Sequence, residues 1–83
     1  MNFFLIQKYI QKITKQDIDT FAKNQGIILE NSELEIIYYY IKNRYKEFFK
    51  GDDKKILYEI KNQVKPTTYN KIEELYNIYK NKL

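Results

Sequence analysis

The sequence contains no cysteine, no histidine and no tryptophan, and it has two glycines and one proline in 83 residues. Without cysteine there is no disulfide framework and no thiolate nucleophile. Without histidine the usual general base and the commonest neutral metal ligand are also missing. A structural zinc site needs cysteine or histidine ligands, so it cannot be built here. Because so small a chain must fold by packing alone, without disulfides, we expect a cytoplasmic protein.

Long apolar runs are also missing. The run Phe3–Ile6 ends at Gln7 after four residues, which is shorter than the apolar region of a secretion signal. No segment approaches the roughly 20 apolar residues that cross a bilayer. We therefore expect neither export nor contact with a membrane. The length predicts one helical domain that spans residues 1–83.

The sequence offers little catalytic machinery. Gly26 and Gly51 are isolated, so no glycine-rich phosphate loop is present. Two pairs of adjacent carboxylates, Asp52–Asp53 and Glu73–Glu74, do not form an acid/base dyad, since neighbouring residues on a helix point in different directions. The net charge is +4, and acids are dispersed among the bases. We expect a protein that is not an enzyme and that needs no cofactor.

The residues that are present follow helical periodicity. Apolar side chains at helical spacing predict a first helix over residues 3–12. Thr14, with Asp17 three residues later, is a capping-box pattern that starts a second helix at residue 15. Gly26 stands where a left-handed C-cap would end that helix near residue 25. The expected buried side chains of this helix are Ile18, Phe21 and Ala22.

The central part of the chain carries the longest helical pattern. Residues 27–29 are too few for a helix and are interpreted as an extended connector whose side chains fill the core. Ser32 and Glu35 form a second capping-box pattern, and one apolar face runs over residues 34–48. Residues 15–48 thus form a candidate helix-extended-helix element. The face consists of Leu34, Ile37, Tyr38, Ile41, Tyr45 and Phe48, and we expect Ile37 and Ile41 in the core.

Two further helices complete the prediction. Gly51 ends the central helix, and Asp52 and Asp53 supply the cap and the N-terminal charge of the next one. Pro66 or the pair Thr67–Thr68 starts the last helix, since proline suits the first turn of a helix. The sequence therefore predicts an all-α fold, a compact bundle of four to five short helices. The expected apolar stripes are Ile56, Leu57, Ile60 and Val64, then Tyr69, Ile72, Tyr76, Tyr79 and Leu83.

Nine tyrosines and a basic stretch over residues 42–50 leave three roles open for the central helix: core, protein interface or nucleic-acid platform. The helical pattern places Tyr38 and Tyr45 in the core. It leaves Tyr39 exposed, with Tyr40 as a second exposed candidate. The candidate nucleic-acid contacts are Tyr39, Lys42, Arg44, Lys46 and Lys50.

Three segments together resemble the YqfT-like family of small proteins from low-G/C Gram-positive bacteria. They are Ile13-Thr14-x-x-Asp17-Ile18, the turn Phe21-Ala22-x-x-x-Gly26-Ile27-x-Leu29, and Pro66-x-Thr68-Tyr69. These motifs are caps, turns and core positions. The resemblance implies a cytoplasmic bacterial protein, and it implies no particular activity.

Taken together, these patterns favour a small, non-catalytic protein-interaction or regulatory module with a protein partner. The alternative is a weak nucleic-acid-binding protein that uses the helix-extended-helix element and the basic stretch 42–50. A protein partner would use an exposed apolar patch, whereas nucleic acid would use a basic stripe with exposed tyrosine. The sequence leaves the identity of the partner and the oligomeric state open.

Overall fold

A computed structural model describes residues 3–80, and the predicted all-α bundle is confirmed for them. No strand occurs within this range. The predicted apolar position Leu83 lies outside the described residues. The helices are α1 (Phe3–Lys12), α2 (Lys15–Asn24), α3 (Asn31–Asn43), the single turn α4 (Tyr45–Glu47), α5 (Asp53–Lys61) and α6 (Pro66–Tyr79), and a π-helical turn, Phe48–Asp52, joins α4 to α5.

Both ends of α2 match the prediction from sequence. The Thr14 hydroxyl accepts a 3.1 Å hydrogen bond from the N–H of Asp17, whose carboxylate accepts a 2.9 Å bond from the N–H of Thr14. At the other end Gly26 has a φ of +86°. The N–H of Ile27 then donates to the carbonyl of Ala22 at 3.0 Å, which closes a Schellman motif. Local signals therefore determine the limits of α2.

The start of α3 differs from the prediction. The Ser32–Glu35 box does not form, because the helix already begins at Asn31 with Glu30 as its N-cap. The Glu33 carboxylate accepts a 3.1 Å hydrogen bond from the N–H of Glu30. Glu33 is 2% exposed, and its carboxylate also accepts a hydrogen bond from the N–H of Lys65. This tertiary contact favours Glu33 over Glu35 as the capping acid.

The pattern over residues 34–48 is not one straight helix. Arg44 leaves helical geometry at a φ of −120°, so α3 ends at Asn43 and not, as predicted, at Gly51, whose φ is +108°. Tyr40, a candidate for exposure, is 8% exposed and belongs to the core, because its hydroxyl donates to Glu59 at 2.9 Å. The expectation that Ile37 and Ile41 are core residues is wrong, since both are half-buried.

The core lies between α3, α5 and α6. Its buried centre is Tyr40, Ile56 and Ile60. Two side chains expected inside lie on the surface instead: Phe21 is 49% exposed and Ile28 is 76% exposed. The partly buried side chains packed against the centre are Ile36, Phe48, Val64 and Ile72.

The apolar stripe predicted for α5 is confirmed at Ile56, Leu57 and Ile60, which are all buried. Asp52 occupies the N-cap position of α5, but its side chain makes no capping hydrogen bond. Asp53 instead accepts a hydrogen bond from the hydroxyl of Tyr76 on α6. Pro66 begins α6, as predicted. The tertiary contact of Asp53 thus ties the first turn of α5 to α6.

Candidate functional site

Two apolar cavities adjoin: the smaller lies among α1, α2, α3 and α6, and the larger lies among α3, α5, α6 and the turns that join α3 to α5. Their volumes are about 350 and 400 Å³. Five side chains line both cavities, and we call the two adjoining cavities together the apolar groove. The shared lining residues are Phe21, Ile37, Ile41, Ile72 and Leu75.

Two contacts fix the position of α6, which forms one side of the apolar groove. The N–H of Lys65, directly before α6, donates to the Glu33 carboxylate at 2.9 Å. Further along α6, the Tyr76 hydroxyl donates to Asp53, a contact that lowers the pKa of this carboxyl. These two contacts hold α6 to the start of α3 and to α5. The half-exposed ring of Phe21 on α2 therefore faces open space.

Charged side chains line the apolar groove unevenly. Among the described residues along it, three are basic and one is acidic. Lys71 pairs with Glu74 at 3.3 Å. The acid, Asp17, lines the smaller cavity together with Lys71, whereas Arg44 and Lys80 line the larger one. Because Glu47 and Glu59 pair with Arg44, the basic character at the larger cavity comes from Lys80.

Two of the five residues predicted to contact nucleic acid are engaged within the protein. Lys42 donates to the carbonyls of Ile10 and Gln11, at 3.0 and 2.8 Å, where α1 ends. Arg44 donates to Glu59 at 3.1 Å and also to Glu47. Hydrogen bonds from Arg44 lower the pKa of both carboxyl groups. Because the backbone or carboxylates hold Lys42 and Arg44, the stretch 42–50 does not form one basic surface.

The other three predicted contacts are exposed. Tyr39 is 50% exposed and makes an edge contact with Tyr40, with ring centroids 5.3 Å apart. Neither Lys46 nor Lys50 has a carboxylate partner in the described part of the chain. The structure therefore does not gather the five residues into one site, and their role in nucleic-acid binding stays a prediction.

Leu75 is the groove residue that the predicted stripe of α6 omits. Its spacing of three residues from Ile72 is the signal that could have identified it. Phe21, Ile37 and Ile41 were expected in the core, and periodicity alone does not distinguish a closed core from an open groove. That distinction depends on where α6 lies.

No cluster of three or more acidic, cysteine or histidine side chains within residues 3–80 is arranged to hold a metal ion. None of the described helices has the length and apolar character needed to cross a membrane. Comparisons with family models, curated proteins and solved structures gave no match for this chain. The resemblance to the YqfT-like family therefore stays a prediction.

Proposed function

We propose that this protein is a non-catalytic protein-interaction module whose apolar groove binds one amphipathic helix of a partner protein. The observation that carries the proposal is that two apolar cavities share lining residues, among them Phe21, Ile41 and Leu75. Partner helices bind such grooves through apolar anchors spaced by three or four residues. Two adjoining cavities of about 350 and 400 Å³ offer room for successive anchors.

The charges along the groove favour a partner helix with acidic residues in its first turn. Lys80 lies at the basic end, and its ammonium group is 5.7 Å from the ring centroid of Tyr76. No carboxylate pairs with Lys80 among the described residues. Acids in the first turn of a helix also stabilise that helix through its dipole. The partner helix is therefore expected to place its N-terminus beside Lys80.

A second copy of this chain suits the groove less well. The exposed apolar side chains of α1 include Leu5, 62% exposed, and Tyr9, 69% exposed. The same helix carries Lys8 and Lys12 and no acid. Docking α1 into a groove whose end is already basic would bring like charges together, which disfavours the contact.

Selection of binding peptides tests the proposal without assuming their sequence. A displayed random-peptide library is selected against the purified protein, and the affinities of the selected peptides are measured by fluorescence anisotropy. We expect helical peptides with apolar residues at spacings of three and four, and at least about tenfold weaker binding to Phe21→Ser, because an aromatic anchor is lost. Ile28→Ser is the matched control, since Ile28 is exposed outside the groove.

The proposal is wrong if the selected peptides bind Phe21→Ser as tightly as the original protein. It is equally wrong if amide chemical-shift changes on peptide binding occur away from the residues that line the apolar groove. Ile28→Ser should change the affinity less than about twofold, because a side chain outside an interface contributes little to binding.

A further inference from the structure

A second depression lies between α5 and α6, and its chemistry differs from that of the apolar groove. Its volume is about 480 Å³, and we call it the polar groove. Three lysines line it: Lys54 and Lys61 on α5, and Lys80 directly after α6. Among the described residues that line it, Glu73 is the one acid, and none of the three lysines has a carboxylate partner. The lining of the polar groove therefore carries an excess of positive charge, and Asp53 interacts electrostatically with one of its lysines, Lys54.

Tyrosine rings lie among these lysines. Tyr58 is 58% exposed and follows Lys54 by four residues, so the two share one face of α5. The ammonium group of Lys61 lies 5.6 Å from the ring centroid of Tyr69. A cation–π contact of this kind positions a lysine without neutralising its charge. The lysine beside Tyr69 thus stays available to an anion.

We infer that the polar groove binds single-stranded nucleic acid, with phosphates at the lysines and one base stacked on Tyr58. Lys54 and Lys61 are separated by about 10 Å along α5, at a rise of about 1.5 Å per residue, so they can contact different phosphates of one strand. A basic groove with an exposed aromatic ring is the usual arrangement for binding single strands. Lys80 lines both grooves, but the inference does not depend on the proposed function, because the residues that test it, Lys54, Tyr58 and Lys61, lie outside the apolar groove.

Single strands fit this surface better than duplexes. Stacking on Tyr58 needs a base whose face is accessible, and bases inside a duplex are already stacked on one another. Asn62 and Asn77 also line the groove, and their amides can donate to and accept from a base edge. The expected binding is dominated by phosphate contacts and depends little on sequence.

The test is fluorescence anisotropy with a labelled oligothymidine, an oligouridine and a DNA duplex at about 50 and 150 mM salt. We expect both single strands to bind more tightly than the duplex, with a Kd of about 10⁻⁴ to 10⁻⁶ M at the higher salt. Each of Lys54→Gln and Lys61→Gln should weaken binding and reduce the slope of log affinity against log salt by about 0.7. Circular dichroism checks that each variant is folded.

Two further variants separate stacking and charge from a general attraction. Tyr58→Leu should weaken binding at least about fivefold without changing the salt slope, because it removes a stacked base and no charge. Glu73→Gln should strengthen binding, because it removes the acid that lines the groove. Lys46→Gln and Lys50→Gln are matched controls: they remove the same charge from exposed lysines outside the polar groove and should change affinity less than about twofold.

The inference is overturned if the two control variants weaken binding as much as the two groove variants, since the basic stretch 42–50 would then be the site. Equal affinity for duplex and single strands, together with no effect of Tyr58→Leu, would also overturn it. So would the absence of binding at about 50 mM salt. Phe21→Ser should leave oligonucleotide affinity unchanged, which separates this result from any result on the apolar groove.

Discussion

The Glu33 carboxylate, which is 2% exposed, accepts a 2.9 Å hydrogen bond from the N–H of Lys65, 32 positions away in the chain. Burial acts to raise the pKa of Glu33, but the N–H groups of Lys65 and Glu30 outweigh burial and lower the pKa below its ordinary value. The Thr68 hydroxyl acts in the same direction without the alignment of a full hydrogen bond. One buried acid thus caps α3 and positions the start of α6.

The first prediction is that Glu33→Gln destabilises the protein by about 1–3 kcal/mol, because two backbone donors lose a charged acceptor. Urea denaturation measures the loss. The matched control is Glu35→Gln, whose 63% exposed side chain forms a surface ion pair with Lys15. That control should cost less than about 1 kcal/mol. An equal loss of unfolding free energy in the two variants would mean that the buried contact between Glu33 and Lys65 does not stabilise the fold.

The second prediction concerns pH. Because folding lowers the pKa of Glu33 below its ordinary value of 4.5, its ionised form stabilises the fold above that pH. The contribution is lost as the pH falls through the folded-state pKa. The free energy of unfolding should therefore decrease more steeply below about pH 4.5 in the original protein than in Glu33→Gln. Parallel curves for the two proteins would contradict the pKa shift.

How far sequence predicts this fold depends on the range of the interaction. The capping box of Thr14 and Asp17 and the turn at Gly26 need only neighbouring residues, and both are predicted correctly. Tyr40 is different, because its hydroxyl donates to Glu59 and accepts from Gln63, 19 and 23 positions away. Periodicity contains no information about those partners, so it cannot distinguish Tyr40 from its exposed neighbour.

The candidate surfaces are harder to predict than the helices. The densest basic run in the sequence is 42–50, but Lys42 is held by carbonyls of α1 and Arg44 by two carboxylates. The lysines without such partners in the polar groove, Lys54, Lys61 and Lys80, are spread over 27 residues of sequence and meet only when α5 packs on α6. The density of basic residues along the sequence therefore points to the stretch 42–50 and not to the polar groove.

The third prediction is that Tyr76→Phe destabilises the protein by about 1–2 kcal/mol, because Asp53 loses a donor that joins α5 to α6. The same contact raises the pKa of Tyr76, so its neutral form stabilises the fold and this contribution is lost at alkaline pH. Chemical denaturation at neutral pH measures the loss. Tyr39→Phe, at an exposed ring, is the control and should change stability less than about 0.5 kcal/mol.

The fourth prediction concerns the turn after α2. Gly26→Ala should cost about 1 kcal/mol, because a side chain is strained at a φ of +86° even though the added Cβ would meet nothing nearby. Gly26→Asn should cost less, since asparagine tolerates the left-handed region. Thermal denaturation should show a fall of about 4–8 °C for the alanine variant. An equal effect of both substitutions would argue against backbone strain as the cause.

The last prediction compares one residue type in two environments. Ile56 is 3% exposed and lines only the larger cavity of the apolar groove, whereas Ile41 is half-buried and lines both cavities. Truncation at an enclosed site loses the transfer free energy and leaves a cavity, so Ile56→Ala should cost about 2–5 kcal/mol. Ile41 borders open space, so Ile41→Ala should lose only part of the transfer term, about 1–2 kcal/mol. Urea denaturation measures the free energy of unfolding of both variants. A loss for Ile41→Ala as large as that for Ile56→Ala would mean that α6 closes over α3 in solution. The groove would then have no room for a partner helix.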